Sequence, residues 1–153
     1  MYYQAFSSQW SAAQFGLATS SNGINWIKHD TPIFQGSDIS WEKHISVRYP
    51  YVVKNDQGWF MFFKATGDRY PNSIGIAVSG NGIDWVLGQD LPVFETSKYE
   101  AWNSVFVIKV IQIDETWFLF LELENFVVSK VLVATFRGEL IPGQNLAPIA
   151  SKP

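Results

Sequence analysis

Short runs of β-branched and aromatic residues, separated by clusters of Gly, Asn, Asp, Pro and Ser, run the length of this chain, and no segment carries apolar residues at a convincing helical spacing. The clearest unit lies in the middle. A run from Ile45 to Val53 ends at Asn55-Asp56-Gln57-Gly58, and the aromatic run Trp59 to Lys64 follows, so the two predict a hairpin. Ser73 to Ser79 predicts a third strand, ending at Gly80-Asn81-Gly82, whose Asn-Gly pair suits the positive φ of a tight turn. A fourth strand is expected to begin at Ile83-Asp84-Trp85-Val86 and to end near Pro92-Val93-Phe94.

The same pattern recurs. Gly16-Leu17-Ala18-Thr19-Ser20-Ser21-Asn22-Gly23-Ile24-Asn25-Trp26 returns 59 residues later as Gly75-Ile76-Ala77-Val78-Ser79-Gly80-Asn81-Gly82-Ile83-Asp84-Trp85, with seven of eleven positions identical. Trp59-Phe60-Met61-Phe62-Phe63 matches Trp117-Phe118-Leu119-Phe120-Leu121, and Met61 to Ala65 matches Met1 to Ala5. The third copy reads as Ser104 to Ile113, a turn at Asp114-Glu115-Thr116, Trp117 to Leu123, and Lys130 to Phe136. Arg137-Gly138-Glu139-Leu140 then replaces the Asn-Gly turn, and the tail with Pro142, Gly143, Asn145 and Pro148 reads as a loop or an edge strand. Four antiparallel strands repeated at this period are the signature of β-propeller blades. The expected fold is an all-β partial β-propeller, one domain over residues 1–153, with blade repeats at about 1–36, 37–96 and 97–145. That makes about two and three-quarter four-stranded blades, the first lacking its innermost strand. A β-sandwich with two similar hairpins is the alternative.

Composition narrows the function without naming it. The 153 residues are 47% hydrophobic and 16% aromatic, enough for one packed domain. A formal charge of −3 gives no reason to expect a nucleic-acid or anionic-membrane partner. With no Cys, thiolate catalysis, disulfides and Cys-ligated zinc are excluded, and two His residues far apart are a poor metal signal, so no metal and no cofactor are expected. No apolar run approaches the ~20 residues of a membrane helix. The segment Met1 to Phe6 lacks the pattern of a secretory signal, which sets the expectation of a soluble, cytoplasmic protein.

The strand Gly-Ile-Ala-x-Ser, the turn Asn-Gly-Ile-x-Trp and the closing Pro-Val-Phe resemble the blades of the five-bladed β-propeller glycoside hydrolases, the arabinanase, levansucrase and mannoside-phosphorylase-like superfamily. Trp41 to Val53 resembles the family's innermost strand with its preceding Trp-containing loop. The resemblance covers Met1 to about Phe136 and implies a central site built on innermost strands, with two carboxylates for glycoside cleavage. It also exposes two departures. Five blades need about twice this chain, which implies either homo-oligomerisation, most simply a dimer approximating a closed ring, or a piece of a longer propeller. The family's Asp-Pro on the innermost strand is represented by Tyr49-Pro50, and a phenol cannot replace the carboxylate.

Candidate residues follow from the aligned copies. Glu42 and Glu100 stand at equivalent approaches to two innermost strands, suited to an acid and its partner, or else are solvated loop carboxylates. Arg48 interrupts an apolar strand and needs a partner or a channel to face. His44 reads as a proton carrier or a loop hydrogen-bonding group. Trp41 and Trp102 are platforms for a sugar face or blade-packing residues; Tyr49 and Asn103 complete the substrate-binding candidates. Trp26 and Trp85, after the Asn-Gly turn, are assigned to blade packing. The leading expectation is a carbohydrate-interacting, propeller-type protein without efficient hydrolysis. The alternatives are a glycosidase or glycoside phosphorylase whose Glu42/Glu100 site is assembled between subunits, and a self-associating structural remnant.

Overall fold

A computed structural model of the chain describes residues 1–6, 13–41, 45–96, 102–137 and 149–150, all in antiparallel β-structure and its connections apart from a single 3-10 turn at Gly36–Asp38. The strands form three sheets. The first contains β1 (Tyr2–Phe6), β2 (Ala13–Thr19), β3 (Ile27–Lys28) and β4 (Phe34–Gln35). The second contains β5 (Ser46–Asn55), β6 (Gly58–Thr66), β7 (Ser73–Ser79), β8 (Val86–Leu87) and β9 (Phe94–Glu95). The third contains β10 (Ser104–Ile113), β11 (Thr116–Glu124), β12 (Ser129–Arg137) and β13 (Ile149–Ala150). Each sheet is a meander, so each is one blade, and the three blades make an open partial propeller.

The two predicted hairpins form as expected, with Asn55 paired to Gly58 and Ile113 to Thr116. The fourth strand differs from its expected form. In both the first and second blades it is two separate two-residue strands, β3 and β4 on β2, β8 and β9 on β7. Asn-Gly-Ile-x-Trp folds as a compact loop, not a two-residue hairpin. The Ser79 hydroxyl accepts from the Asn81 and Gly82 N–H groups and Asn81 Oδ1 accepts from Ile83 and Asp84, which uses up the backbone donors a fourth strand would present to β7. Ser20 and Asn22 repeat this arrangement in the first copy. Gly23 and Gly82 adopt φ of 73° and 77°, the left-handed region the turn requires.

Two hydrophobic layers hold the blades together. One joins the first and second blades through Phe15, Leu17, Phe34, Met61, Phe63, Ala77 and Trp85; the other joins the second and third through Phe60, Phe62, Ile74, Ile76, Trp117, Leu119 and Leu121. Side chains of β6 therefore alternate between two cores, and six consecutive residues, Phe60 to Ala65, are buried. Strand β11 carries the matching aromatic run Trp117 to Leu121, yet buried and part-exposed residues alternate along it, because only one of its faces is covered.

Candidate functional site

The innermost strands β5 and β10 lie side by side, with β1 next to β5. Both are bulged at the same place. The β5–β6 register slips between Arg48 and Tyr51, and the β10–β11 register slips between Val107 and Lys109, the aligned position of the next copy. In β5 the slip puts Tyr49 at φ 55°, a conformation costing a bulky residue ~1–2 kcal/mol, and leaves its side chain half exposed. Its ring meets Phe106 of β10 edge-on at 5.1 Å, and its backbone N–H donates to Gln4 Oε1 at 3.0 Å.

Beside this contact a cation crosses from the second blade to the third. Lys64, paired with Arg48 in the β5–β6 ladder, is buried, donates from Nζ to Ser104 Oγ at 2.5 Å, and stands 4.4 Å from the centre of the Phe106 ring. Burial, with repulsion from the Arg48 guanidinium, holds the Lys64 ammonium below its ordinary value of 10.5, and attraction to Glu124 partly offsets this. Arg48 is exposed; its Nε donates to Ser46 Oγ at 3.4 Å and its guanidinium lies 5.9 Å from the Phe6 ring centre.

Ser104 and Glu124 also line an open groove of about 480 Å³ together with Asn103, Asn125 and Phe126. The Asn103 N–H donates to the Glu124 carbonyl at 3.2 Å, which ties the start of β10 to the end of β11. Asn125 Oδ1 accepts from the Val127 and Val128 N–H groups, both at 2.9 Å, and the Asn125 N–H donates to the Val128 carbonyl. This tight turn holds Phe126 out at 98% exposure. An open aromatic ring thus stands at the lip of a groove whose other walls are amide, hydroxyl and carboxylate.

The sequence-derived candidates divide between these surroundings. Arg48, Tyr49 and Asn103 fall in or beside the groove and bulge. Trp102 is half-buried against the core between the second and third blades. Trp41 is in the other core, edge-on to Tyr70 at 5.5 Å, with 9% of its surface exposed; its face is packed and offers no open platform. Glu42, His44 and Glu100 lie outside the described residues. The sequence pairs Glu122 and Glu124 on β11, aligned with Lys64 of the preceding copy, as facing a channel or an exposed strand face, and Glu124 lines the groove; it does not single out Lys64, Ser104, Asn125 or Phe126 as site residues. The signals for them were a lone Lys in an otherwise apolar strand, and an Asn followed by three apolar residues where a turn was due. Among the described residues no three His, Asp or Glu side chains converge on a point.

No family model and no curated protein matches the sequence. Solved structures match the fold. A glycosyl hydrolase from Bacteroides ovatus superposes with a TM-score of 0.67 at 21% identity, over 98% of this chain and 45% of that one. Another glycoside hydrolase gives 0.67 at 14% identity, over 94% and 42%. A structure from work on the GH130 family of mannoside phosphorylases, which contains glycoside hydrolases that target β-1,2 mannosidic linkages in Candida mannan, gives 0.59 at 22% identity, over 92% and 41%. The fold is that of the propeller glycoside hydrolases. This chain spans less than half the length of each of these structures. Within the propeller glycoside hydrolase fold, the β5 bulge falls on Tyr49-Pro50, the pair that the sequence resemblance sets in place of Asp-Pro. No helix among the described residues is long and apolar enough to cross a membrane.

Proposed function

We propose that the protein binds carbohydrate in the groove at the start of β10 and does not cleave glycosides efficiently. The observation that carries this reading is the Phe126 ring, fully open to solvent at the lip of a groove walled by Asn103, Ser104, Glu124 and Asn125. A sugar ring has an apolar face of C–H groups and an equator of hydroxyls. It is matched by an aromatic platform beside side chains that both donate and accept. Lys64 and Arg48 set a positive field behind the groove, and Tyr49, at the strained bulge, supplies a further hydroxyl next to Phe106 in place of a carboxylate. The fold shared with propeller glycoside hydrolases supports the choice of ligand class.

Calorimetric titration against a panel of oligosaccharides headed by β-1,2-linked mannosides tests the proposal. Saturable binding is expected, weakened at least tenfold, or ~1.4 kcal/mol, by Phe126→Ala and by Asn103→Ala. Absence of binding across the panel by folded protein sinks it. Release of reducing sugar at rates typical of glycosidases would overturn its second half.

A further inference from the structure

Two cations face each other across the β5–β6 ladder, and among the described residues neither makes an ion pair. Arg48 and Lys64 are ladder partners, so their side chains leave the sheet on one face. Like charges placed opposite each other destabilise a sheet, and the Lys64 ammonium registers it: after burial, repulsion from Arg48 is what holds its pKa down. Arg48 makes one long hydrogen bond, from Nε to Ser46 Oγ at 3.4 Å, and stands 5.9 Å from the Phe6 ring centre. Lys64 makes one, to Ser104 Oγ at 2.5 Å. Four of the five guanidinium donors and two of the three ammonium donors are therefore unused. Phe106 gathers these groups beside the groove. Lys64 lies 4.4 Å from its ring centre, Tyr49, the neighbour of Arg48, meets the ring edge-on at 5.1 Å, and Ser104, two residues earlier on β10, lines the groove with Glu124.

We propose that the carbohydrate bound here is an acidic one, with the carboxylate of a uronic acid held by Arg48 and Lys64 adding charge from the wall. The inference rests on the reading that the groove binds carbohydrate, and it names the class of sugar. An exposed planar guanidinium with most of its donors open fits a carboxylate through two parallel hydrogen bonds. The Lys64 charge is buried, so salt and water screen it less than they would at the surface. An anion between the two also removes a repulsion already present in the free protein, which makes its binding more favourable than the contacts alone would. Glu124 chooses among anions. It lines the same groove, so the second charge of a phosphate dianion is repelled there, whereas a carboxylate brings only one. The neutral part of the sugar is left for Phe126, Asn103 and Asn125.

Calorimetric titration with trimers of galacturonic, glucuronic and mannuronic acid, each set against its own methyl ester, tests the proposal. At least one acid is expected to bind about tenfold or more tightly than its ester, and that advantage to shrink with added salt. In Arg48→Met, an exposed position where circular dichroism checks the fold, the ratio of acid to ester affinity should fall toward one. Lys64→Met should reduce it as well. Inorganic phosphate alone is the control. Equal binding of acids and esters overturns the inference and leaves carbohydrate binding standing; binding of neither removes the reading beneath it, and the inference with it. A ratio that survives both substitutions in folded protein also overturns it. So does displacement of an ester by phosphate with no gain for the acids, which would mark a site for free anions.

Discussion

At Lys64 a cation sits in a strand whose neighbours are packed between two blades, and its surroundings make its protonation a measurable quantity. Its folded pKa lies below 10.5, so between the folded value and 10.5 the unfolded chain binds more protons than the folded one, and stability rises with pH there. The cost of the buried charge is full below that window and gone above it. Unfolding by denaturant across the alkaline range is therefore expected to show this rise in wild type and to lose it in Lys64→Met. That variant should match or exceed wild type in stability near neutral pH, since a hydrophobic side chain of similar volume replaces a desolvated cation. Arg48→Met should shrink the rise by removing the neighbouring repulsion. Tyr49 makes the complementary case. Tyr49→Gly relieves ~1–2 kcal/mol of left-handed strain and loses a ring contact of ~0.5–1.5 kcal/mol with Phe106, so folding free energy should change by no more than ~1 kcal/mol. Carbohydrate affinity, on the reading proposed above, should fall.

The Asn-Gly turn shows what one sequence does in two settings. Gly23 and Gly82 share their positive φ, but a Cβ at Gly82 would press on the Trp59 ring and the Tyr2 hydroxyl, whereas at Gly23 it meets nothing within 4 Å. Gly23→Ala is expected to cost ~1 kcal/mol, from conformation alone. Gly82→Ala should cost a further ~1–3 kcal/mol from the blade contact, read as the difference between the two unfolding midpoints. Periodicity made the strands and hairpins legible: alternation and the aromatic runs gave β5 to β7 and β10 to β12 nearly residue by residue. The outer strand was not legible as two fragments, since Ser79 and Asn81 turn the backbone on themselves through side-chain bonds that leave no apolar pattern. Nor could the sequence distinguish Trp26 from Trp85, which follow the same Asn-Gly-Ile turn: both read as blade packing, yet Trp85 is buried against the first blade and Trp26 is 44% exposed. Of the site, Arg48 was legible as a polar break in an apolar strand, Tyr49 through the resemblance that sets it in place of an Asp, and Asn103 as a hydrogen-bonding group at the start of an innermost strand. Phe126 was not, because an aromatic residue between two strands reads as core until the Asn125 turn is seen to carry it outward.

For the molecule as a whole, the paired bulges of β5 and β10 have a consequence of their own. Before the bulge Val47 belongs to the core shared with the first blade; after it Tyr51 and Val53, also odd-numbered, belong to the core shared with the third. One inserted residue reverses the parity of the strand, so each innermost strand is two half-strands in opposite phase joined at the inner edge of the propeller. Substitutions at the junction therefore change what is displayed there without moving any side chain of either half out of its layer. A Tyr can stand where the sequence resemblance implies an Asp, and the blades on both sides keep their register.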